Sequence, residues 1–204
     1  MIILDFFCKS GYNENMENSM KINKLYSNVI VPKRATDKSA CYDIHAHLRG
    51  PVEGEDRLPE LRKVKIYNKF NQLEKVDPDL VWDSDDLNVS IKLPAFSRAL
   101  IPTGIIFDLP SGYSARIHPR SGLAWKHGIT LMNCEGVIDS DYCDEIFVIL
   151  YNATEIPFVI SHGDRIAQFE AIQQFKPVGY LYATGATATS QKTNRVGGFG
   201  STGV

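Results

Sequence analysis

From Ile22 onward the chain is built of short runs of β-branched and aromatic residues, each broken within a few positions by Pro, Gly, Asn or Asp. Such runs occupy 27–31, 99–101, 104–109, 113–118, 129–132, 145–151, 158–160 and 166–172. Segments this short suit strands, and their close spacing predicts an all-β antiparallel sandwich or barrel. One stretch departs from the rhythm. Leu61, Val64, Tyr67, Phe70, Leu73 and Val76 recur every third residue between Pro59 and Pro78, which hints at an amphipathic helix, while Val64-Lys-Ile-Tyr67 fits a strand equally well.

A chain of 204 residues supplies one well-buried core, and two domains would be cramped. Residues 1–20 read as an N-terminal extension, disordered or non-native, with Met16 and Met20 as alternative starts. Residues 21–182 read as the β domain, carrying an insertion at about 49–89 whose second half is acidic. Residues 183–204 read as a C-terminal arm. Four glycines around Phe199 cannot build core, so the arm is expected to be mobile until a ligand orders it.

The charge balance, 22 Lys and Arg against 24 Asp and Glu, lacks the basic excess of a stable nucleic-acid binder. It leaves room for a local basic pocket for a small polyphosphate. No apolar run reaches membrane-spanning length. The opening Met1-Ile-Ile-Leu-Asp-Phe-Phe-Cys8 has no basic flank and meets Asp5 early, so a secretory signal is not expected. Cys8, Cys41, Cys134 and Cys143 show no C-x-x-C spacing and read as reduced thiols in a cytoplasm.

Four segments carry chemistry. In Pro119-Arg-Ser-Gly122 a guanidinium fork, a small hydroxyl and open backbone follow one another after a strand, a set that suits an anion, although a plain strand-ending turn reads the same. In Gly136-Val-Ile-Asp-Ser-Asp-Tyr142, Asp139 on a hairpin can orient and deprotonate water and Tyr142 offers a flat wall to a sugar; the bland alternative is a turn whose carboxylates satisfy backbone donors. In His162-Gly-Asp-Arg-Ile-Ala-Gln168 the Gly163-Asp164 pair makes a turn, the next strand brings Gln168 inward, and Asp164 and Arg165 read as a structural ion pair. The arm offers Arg195, Phe199, Gly200, Ser201 and Thr202, which suit a nucleoside polyphosphate.

Taken in order, Ala35-Thr-Asp-Lys-Ser-Ala-Cys-Tyr-Asp43, Pro119-Arg-Ser-Gly-Leu-Ala124, Gly136-Val-Ile-Asp-Ser-Asp-Tyr142, Gly163-Asp-Arg-Ile-Ala-Gln168 and Gly197-Gly-Phe-Gly-Ser-Thr-Gly203 resemble the five ordered motifs of the trimeric dUTPase family. Ile101-Pro-Thr-Gly-Ile105 and Lys126-His-Gly-Ile129 match between them. The resemblance covers 22–43 and from about 91 to the C-terminus, and leaves out the N-terminal segment and 49–89.

The resemblance implies a β-jelly-roll protomer in a homotrimer that shares three active sites and hydrolyses dUTP to dUMP and pyrophosphate with Mg²⁺. Such an activity limits uracil in DNA and supplies dUMP for dTMP synthesis, in the cytoplasm or, for a viral chain, the host's. By similarity Asp139 orients the attacking water, and Tyr142 packs on the deoxyribose. Arg120, Ser121, Gly122 and Gln168 hold the phosphates, and Asp43 reaches Mg²⁺ through water. Asn133 and the hairpin backbone, including Gly136 and Ile138, read uracil. Phe199 stacks on the base, with Arg195, Gly200, Ser201 and Thr202 closing over it. Phosphoanhydride hydrolysis needs neutralised charge, an in-line water and exclusion of solvent, which this set can supply without a covalent nucleophile.

The chain departs from the family pattern at four places. Cys41 and Met132 stand where glycines are usual, Asp144 stands at a turn glycine and is expected to take a left-handed conformation there, and Arg195-Val-Gly-Gly-Phe199 is one residue short. His45 and His47, two apart, are expected on a solvated strand face. Trp82 is expected to cap the insertion's own small core. The insertion itself is expected to be peripheral to catalysis. Two rival readings are a dCTP deaminase relative, which resembles the chain less because that group typically lacks the Asp-x-Asp-Tyr hairpin and the Gly-rich tail, and a regulatory protein that binds a partner through 49–89.

Overall fold

The computed structural model describes residues 2–3, 19–50, 61–76, 78–83 and 86–175, with the backbone alone at 2–3, 79–83 and 86–87. In chain order the elements are β1 (Ile2–Ile3), β2 (Lys21–Lys24), β3 (Tyr42–His45), β4 (Val64–Tyr67), β5 (Leu73–Val76), β6 (Asp79–Asp83), β7 (Asp86–Leu93), β8 (Arg98–Pro102), β9 (Ile105–Asp108), β10 (Tyr113–His118), α1 (Ser121–His127), β11 (Ile129–Leu131), β12 (Gly136–Asp139), β13 (Phe147–Asn152), β14 (Phe158–Ser161) and β15 (Arg165–Gln173).

Period-two alternation sorts these strands into layers. In β13, Val148 and Leu150 are buried while Phe147, Ile149 and Tyr151 face away from the core. In β10, Ala115 and Ile117 point inward. Two larger sheets result, ordered β12-β10-β15-β3 and β11-β13-β8-β4-β5, with smaller ones ordered β1-β2-β9 and β14-β7-β6. Neighbouring strands are antiparallel throughout. Their inner faces meet in one hydrophobic cluster that includes Ile44, Ile66, Ile101, Ile117, Leu150 and Phe169. The jelly-roll β fold implied by the resemblance is the one observed.

Three local features sharpen the sequence reading. Of the two readings at 61–76 the strand holds and the helix does not: the segment is a β-hairpin, β4–β5, with β4 at Val64–Tyr67. Only Val64 and Ile66 are buried, two apart as strand geometry requires, whereas Phe70 is 71% exposed. Asn68 makes the turn: its Oδ1 accepts from the Phe70 and Gln72 amides at 2.9 and 3.0 Å, and Asn71 follows at φ 60°. Residues 27–31 form no strand; Val29 alone is buried there, seated so close to Gly104 that a Cβ on that glycine would meet it at 2.5 Å. Between β10 and β11 the chain makes the short helix α1, with Lys126 and His127 in its last turn and Gly128 closing it at φ 63°.

The described part of the insertion is built into two sheets: β4 and β5 extend β11-β13-β8, and β6 pairs with β7 in β14-β7-β6. The chain leaves at Leu48 and Arg49 and returns through an Arg49–Leu61 bridge, after which β4 pairs directly with β8. Of the expected N-terminal extension, Ile2–Ile3 pairs with β2, Ser19 is half-buried and Met20 is 1% exposed, part of the core; residues 1 and 4–18 lie outside the described residues.

Candidate active site

The phosphate-type residues converge at one end of the β12-β10-β15-β3 sheet. Strand register sets Gln168 opposite Asp43 on one side and His118 on the other, so the turn after His118 opens beside that row. Arg120 precedes α1 in an extended conformation and makes no cap with its side chain. Its guanidinium turns to Asp43, Nε donating to Oδ1 at 3.2 Å, while its other arm donates to the Arg165 carbonyl at 3.1 Å. Arg165 donates to the second Asp43 oxygen at 3.2 Å. Gln168 Nε2 donates to the Pro119 carbonyl at 3.0 Å and fixes the turn. Ser121 and Gly122 are exposed, and a Cβ on Gly122 would meet nothing within 4 Å.

Asp43 is thus a nearly buried carboxylate, 13% exposed in its side chain, between two guanidiniums. The expected Asp164–Arg165 ion pair does not form. Asp164 accepts from the Ser161 amide, and Arg165 pairs with Asp43 instead. Sequence reasoning missed Arg165 as a member of this cluster, because its partner lies 122 residues away.

The second group lies on the β11–β12 hairpin. Cys134, at φ 61°, carries the bend, and its amide donates to the Leu131 carbonyl. Gly136 is needed for space: a Cβ there would press on Ile117 and on Asn133 Nδ2, at 3.2 and 3.3 Å. Asn133, Ile138, Asp139 and Tyr142 then line one cleft of about 520 Å³, floored by Leu100, Phe147 and Ile149. Asp139 is exposed, and its side chain has no hydrogen bond or ion pair among the described residues. Tyr142 donates its hydroxyl to the Glu145 carbonyl at 3.0 Å, and its amide donates to the Asp139 carbonyl. Desolvation, then Asp144 and Glu145, raise its pKa, so it stays a neutral phenol. Among described non-glycine residues positive φ falls on Asn71, Phe96 and Cys134, so the left-handed conformation expected of Asp144 is not needed.

Asp139 and the phosphate-type turn are not together in one chain. Asp139 lies opposite Ser114, whereas the phosphate-type turn follows His118 on the same strand. Four residues of strand separate the levels by roughly 14 Å.

Of the two histidines expected on a solvated face, His45 is half-buried and His47 is inside. His47 is 2% exposed, because the chain leaves the sheet after β3 and buries 46, 47 and 48 in succession. It stacks on Tyr26, with ring centroids 5.4 Å apart, and lies 4.9 Å from His162. Burial, then His162, Arg62 and Arg49, lower its pKa to about 3; burial and Arg49 lower that of His162 to about 4. Among the described residues no group of three or more His, Cys, Asp or Glu gathers as a metal ligand set. Cys41, Cys134 and Cys143 are free thiols. Arg195, Phe199, Gly200, Ser201 and Thr202, and the Trp82 side chain, lie outside the described residues.

The dUTPase family model matches residues 86–203. A deoxyuridine 5'-triphosphate nucleotidohydrolase of Rhizobium etli is 47% identical over 119 residues, 58% of this chain and 74% of the relative. One of Finegoldia magna is 41% identical over 145 residues, 69% of this chain and 99% of the relative. The fold is similar to a variant dUTPase of phage phi11 of S. aureus, described with a structural Mg(II) ion, at TM-score 0.57 and 16% identity over 83% of this chain and 100% of that one. The matched residues hold the hairpin, the phosphate-type turn and Gln168, and on these grounds the chain belongs to the dUTPase family.

Proposed function

We propose that this protein is a dUTP diphosphatase, in which Asp139 holds and deprotonates the water that attacks the α-phosphorus of dUTP. The observation that carries the reading is the hairpin cleft, where an unpaired carboxylate, an aromatic wall and an amide share one space of about 520 Å³. Asn133, with the backbone of Gly136 and Ile138, reads the uracil edge. Tyr142 lies under the deoxyribose and leaves no room for a 2′-hydroxyl. Arg120, Ser121, the Gly122 amide and Gln168 hold the phosphates, where charge-assisted donors stabilise the developing pyrophosphate.

Asp43 is the residue for Mg²⁺. Both its oxygens already face guanidiniums, and no three-carboxylate cage surrounds it among the described residues. That fits a cation carried on triphosphate oxygens and touched by one carboxylate through water, as Mg²⁺ is commonly held. When bound, Mg²⁺ neutralises phosphate charge.

The separation of roughly 14 Å between Asp139 and the phosphate-type turn supports assembly. Water on Asp139 and donors on the adjacent phosphates must meet on one triphosphate, so a second copy supplies the phosphate turn to the first copy's hairpin. The homotrimer known for this fold family provides such junctions. We assign Arg195, Phe199, Gly200, Ser201 and Thr202 to closing the occupied site, and the cytoplasm as the location. A docking role for 49–89 toward another protein stays secondary to this chemistry.

The test is pyrophosphate release across the four dNTPs and UTP, with and without Mg²⁺. Turnover of dUTP alone, and only with the metal, is expected. Ammonia from dCTP would overturn the reading in favour of a deaminase.

A further inference from the structure

Arg62 stands at the mouth of the insertion, outside the residues that match the family. Its backbone is fixed where the insertion rejoins the fold, its amide donating to the Leu48 carbonyl at 2.9 Å. Its side chain reaches across 83 residues to Glu145 in a two-pronged contact, Nη1 to Oε1 at 2.8 Å and Nη2 to Oε2 at 2.5 Å. Both partners are largely buried, with side-chain exposures of 15% and 10%. The guanidinium also lies 5.3 Å from the centre of the Tyr26 ring.

Glu145 is the residue on which the turn after β12 is hung. Its Oε1 accepts the Thr103 and Gly104 amides at 3.1 and 2.6 Å, and the next residue, Ile146, donates its amide to the Ile105 carbonyl. Its own carbonyl holds the Tyr142 hydroxyl at 3.0 Å. A continuous chain of contacts therefore runs from the insertion, through Arg62 and Glu145, to the aromatic wall of the hairpin cleft. The two sites are neighbours in space as well: Arg62 lines a cavity of about 470 Å³ that shares Leu100 and Phe147 with the cleft.

We infer that Arg62 is a positioning residue, by which the insertion sets the height of Tyr142 and so the enzyme's choice of deoxyribose over ribose. The inference rests on the reading of Tyr142 as the sugar wall, and it departs from the expectation that the insertion is peripheral. The physical reason is the geometry of the fork. A bidentate guanidinium fixes both oxygens of a carboxylate in one plane, and without it Glu145 Oε2 has no donor among the described residues. A nearly buried carboxylate left half-paired turns toward water or another donor, and its backbone moves with it. Tyr142, tied three residues earlier, follows. A sugar wall displaced by about 1 Å admits a 2′-hydroxyl and misplaces the α-phosphate against its water.

The experiment measures kcat and KM for dUTP and UTP in the full-length protein for Arg62→Met, Arg62→Lys, Glu145→Gln and the Arg62→Met/Glu145→Gln double variant, with assembly mass and melting temperature alongside. Arg62→Met is expected to narrow the dUTP-over-UTP ratio of kcat/KM by roughly tenfold to 10²-fold, the range a small misplacement costs. The double variant is expected to match the worse single one, because the two residues act through one contact. Arg62→Lys keeps the charge but not the fork, and is expected to narrow the ratio while the fold persists, which holds the test open if Arg62→Met fails to fold. An unchanged ratio in a folded Arg62→Lys or Arg62→Met protein overturns the inference, as does additivity in the double variant. Wild-type protein that fails to prefer dUTP to UTP instead overturns the sugar-wall reading itself.

Discussion

The two halves of the site solve opposite problems. At the phosphate end each charge has its partner before any ligand arrives: Asp43 between Arg120 and Arg165, Gln168 on the Pro119 carbonyl. At the hairpin Asp139, the proposed base, is exposed with no hydrogen bond or ion pair among the described residues, while Tyr142 ties the turn through its hydroxyl to the Glu145 carbonyl and its amide to the Asp139 carbonyl. Pre-paired charges hold donors in place at low cost in reorganisation, but a ligand must share them. A carboxylate left unpaired keeps its lone pairs for a proton, which is what water activation demands. Binding and chemistry are therefore separable by mutation, one on each side.

The sharpest break is Asp139→Asn. An exposed, unpaired side chain costs little stability to replace, so melting temperature and KM should stay near wild type while kcat falls by on the order of 10²-fold or more. Steady-state kinetics with a thermal melt read this, and near-normal turnover would move the base elsewhere. At the other half, Arg120→Ala should act through substrate affinity, raising KM for dUTP and lowering kcat/KM by roughly tenfold to 10²-fold, the range for a charge-assisted contact. A loss confined to kcat would erase the distinction between the halves. Gly136→Ala tests the hairpin's shape: the added methyl presses on Asn133 and Ile117, and KM should rise several-fold with kcat nearly kept, as the base-reading edge is disturbed before the water.

The smallest effect separates both halves from the core behind them. His47 and His162 titrate near 6.5 unfolded but at about 3 and about 4 when folded. The folded chain then binds fewer protons than the unfolded chain below about pH 6.5, so stability is complete above that value and drains as pH falls toward 4. Melting temperature should drop by roughly 10 °C between pH 7 and pH 5, less in His47→Gln, while the dUTP-over-UTP ratio holds.

Much of this architecture was legible because it is local. Residues 113–118, 145–151 and 166–172 alternate as strands do, and their strands appear with shifts of a residue or two at the ends. Asn133, Asp139 and Tyr142 could be grouped because one hairpin carries them. What stayed hidden depends on distance or on competing periods. Phe70 and Leu73 mimicked a helical stripe although a turn set by Asn68 separates them, and the strand alternation Val64-Lys-Ile66 was the truer signal. A lone Gly128 after Lys-His was the available mark of α1. His45 and His47 alternate correctly but leave the sheet between them, so the second enters the core. Arg165 on Asp43 and Arg62 on Glu145 join residues 122 and 83 apart, and nothing in a single sequence announces such pairs.

The insertion also decides where the main sheet stops. Without it β8 would be the last strand, offering Ala99, Leu100 and Ile101 with open backbone donors and acceptors to any passing chain. With it the border is β5, four residues long and bearing exposed Glu74 and Lys75. Short, charged borders resist the addition of foreign strands. Variants that delete the hairpin would therefore also aggregate sheet to sheet in concentrated solution, a loss separate from any change at the active site.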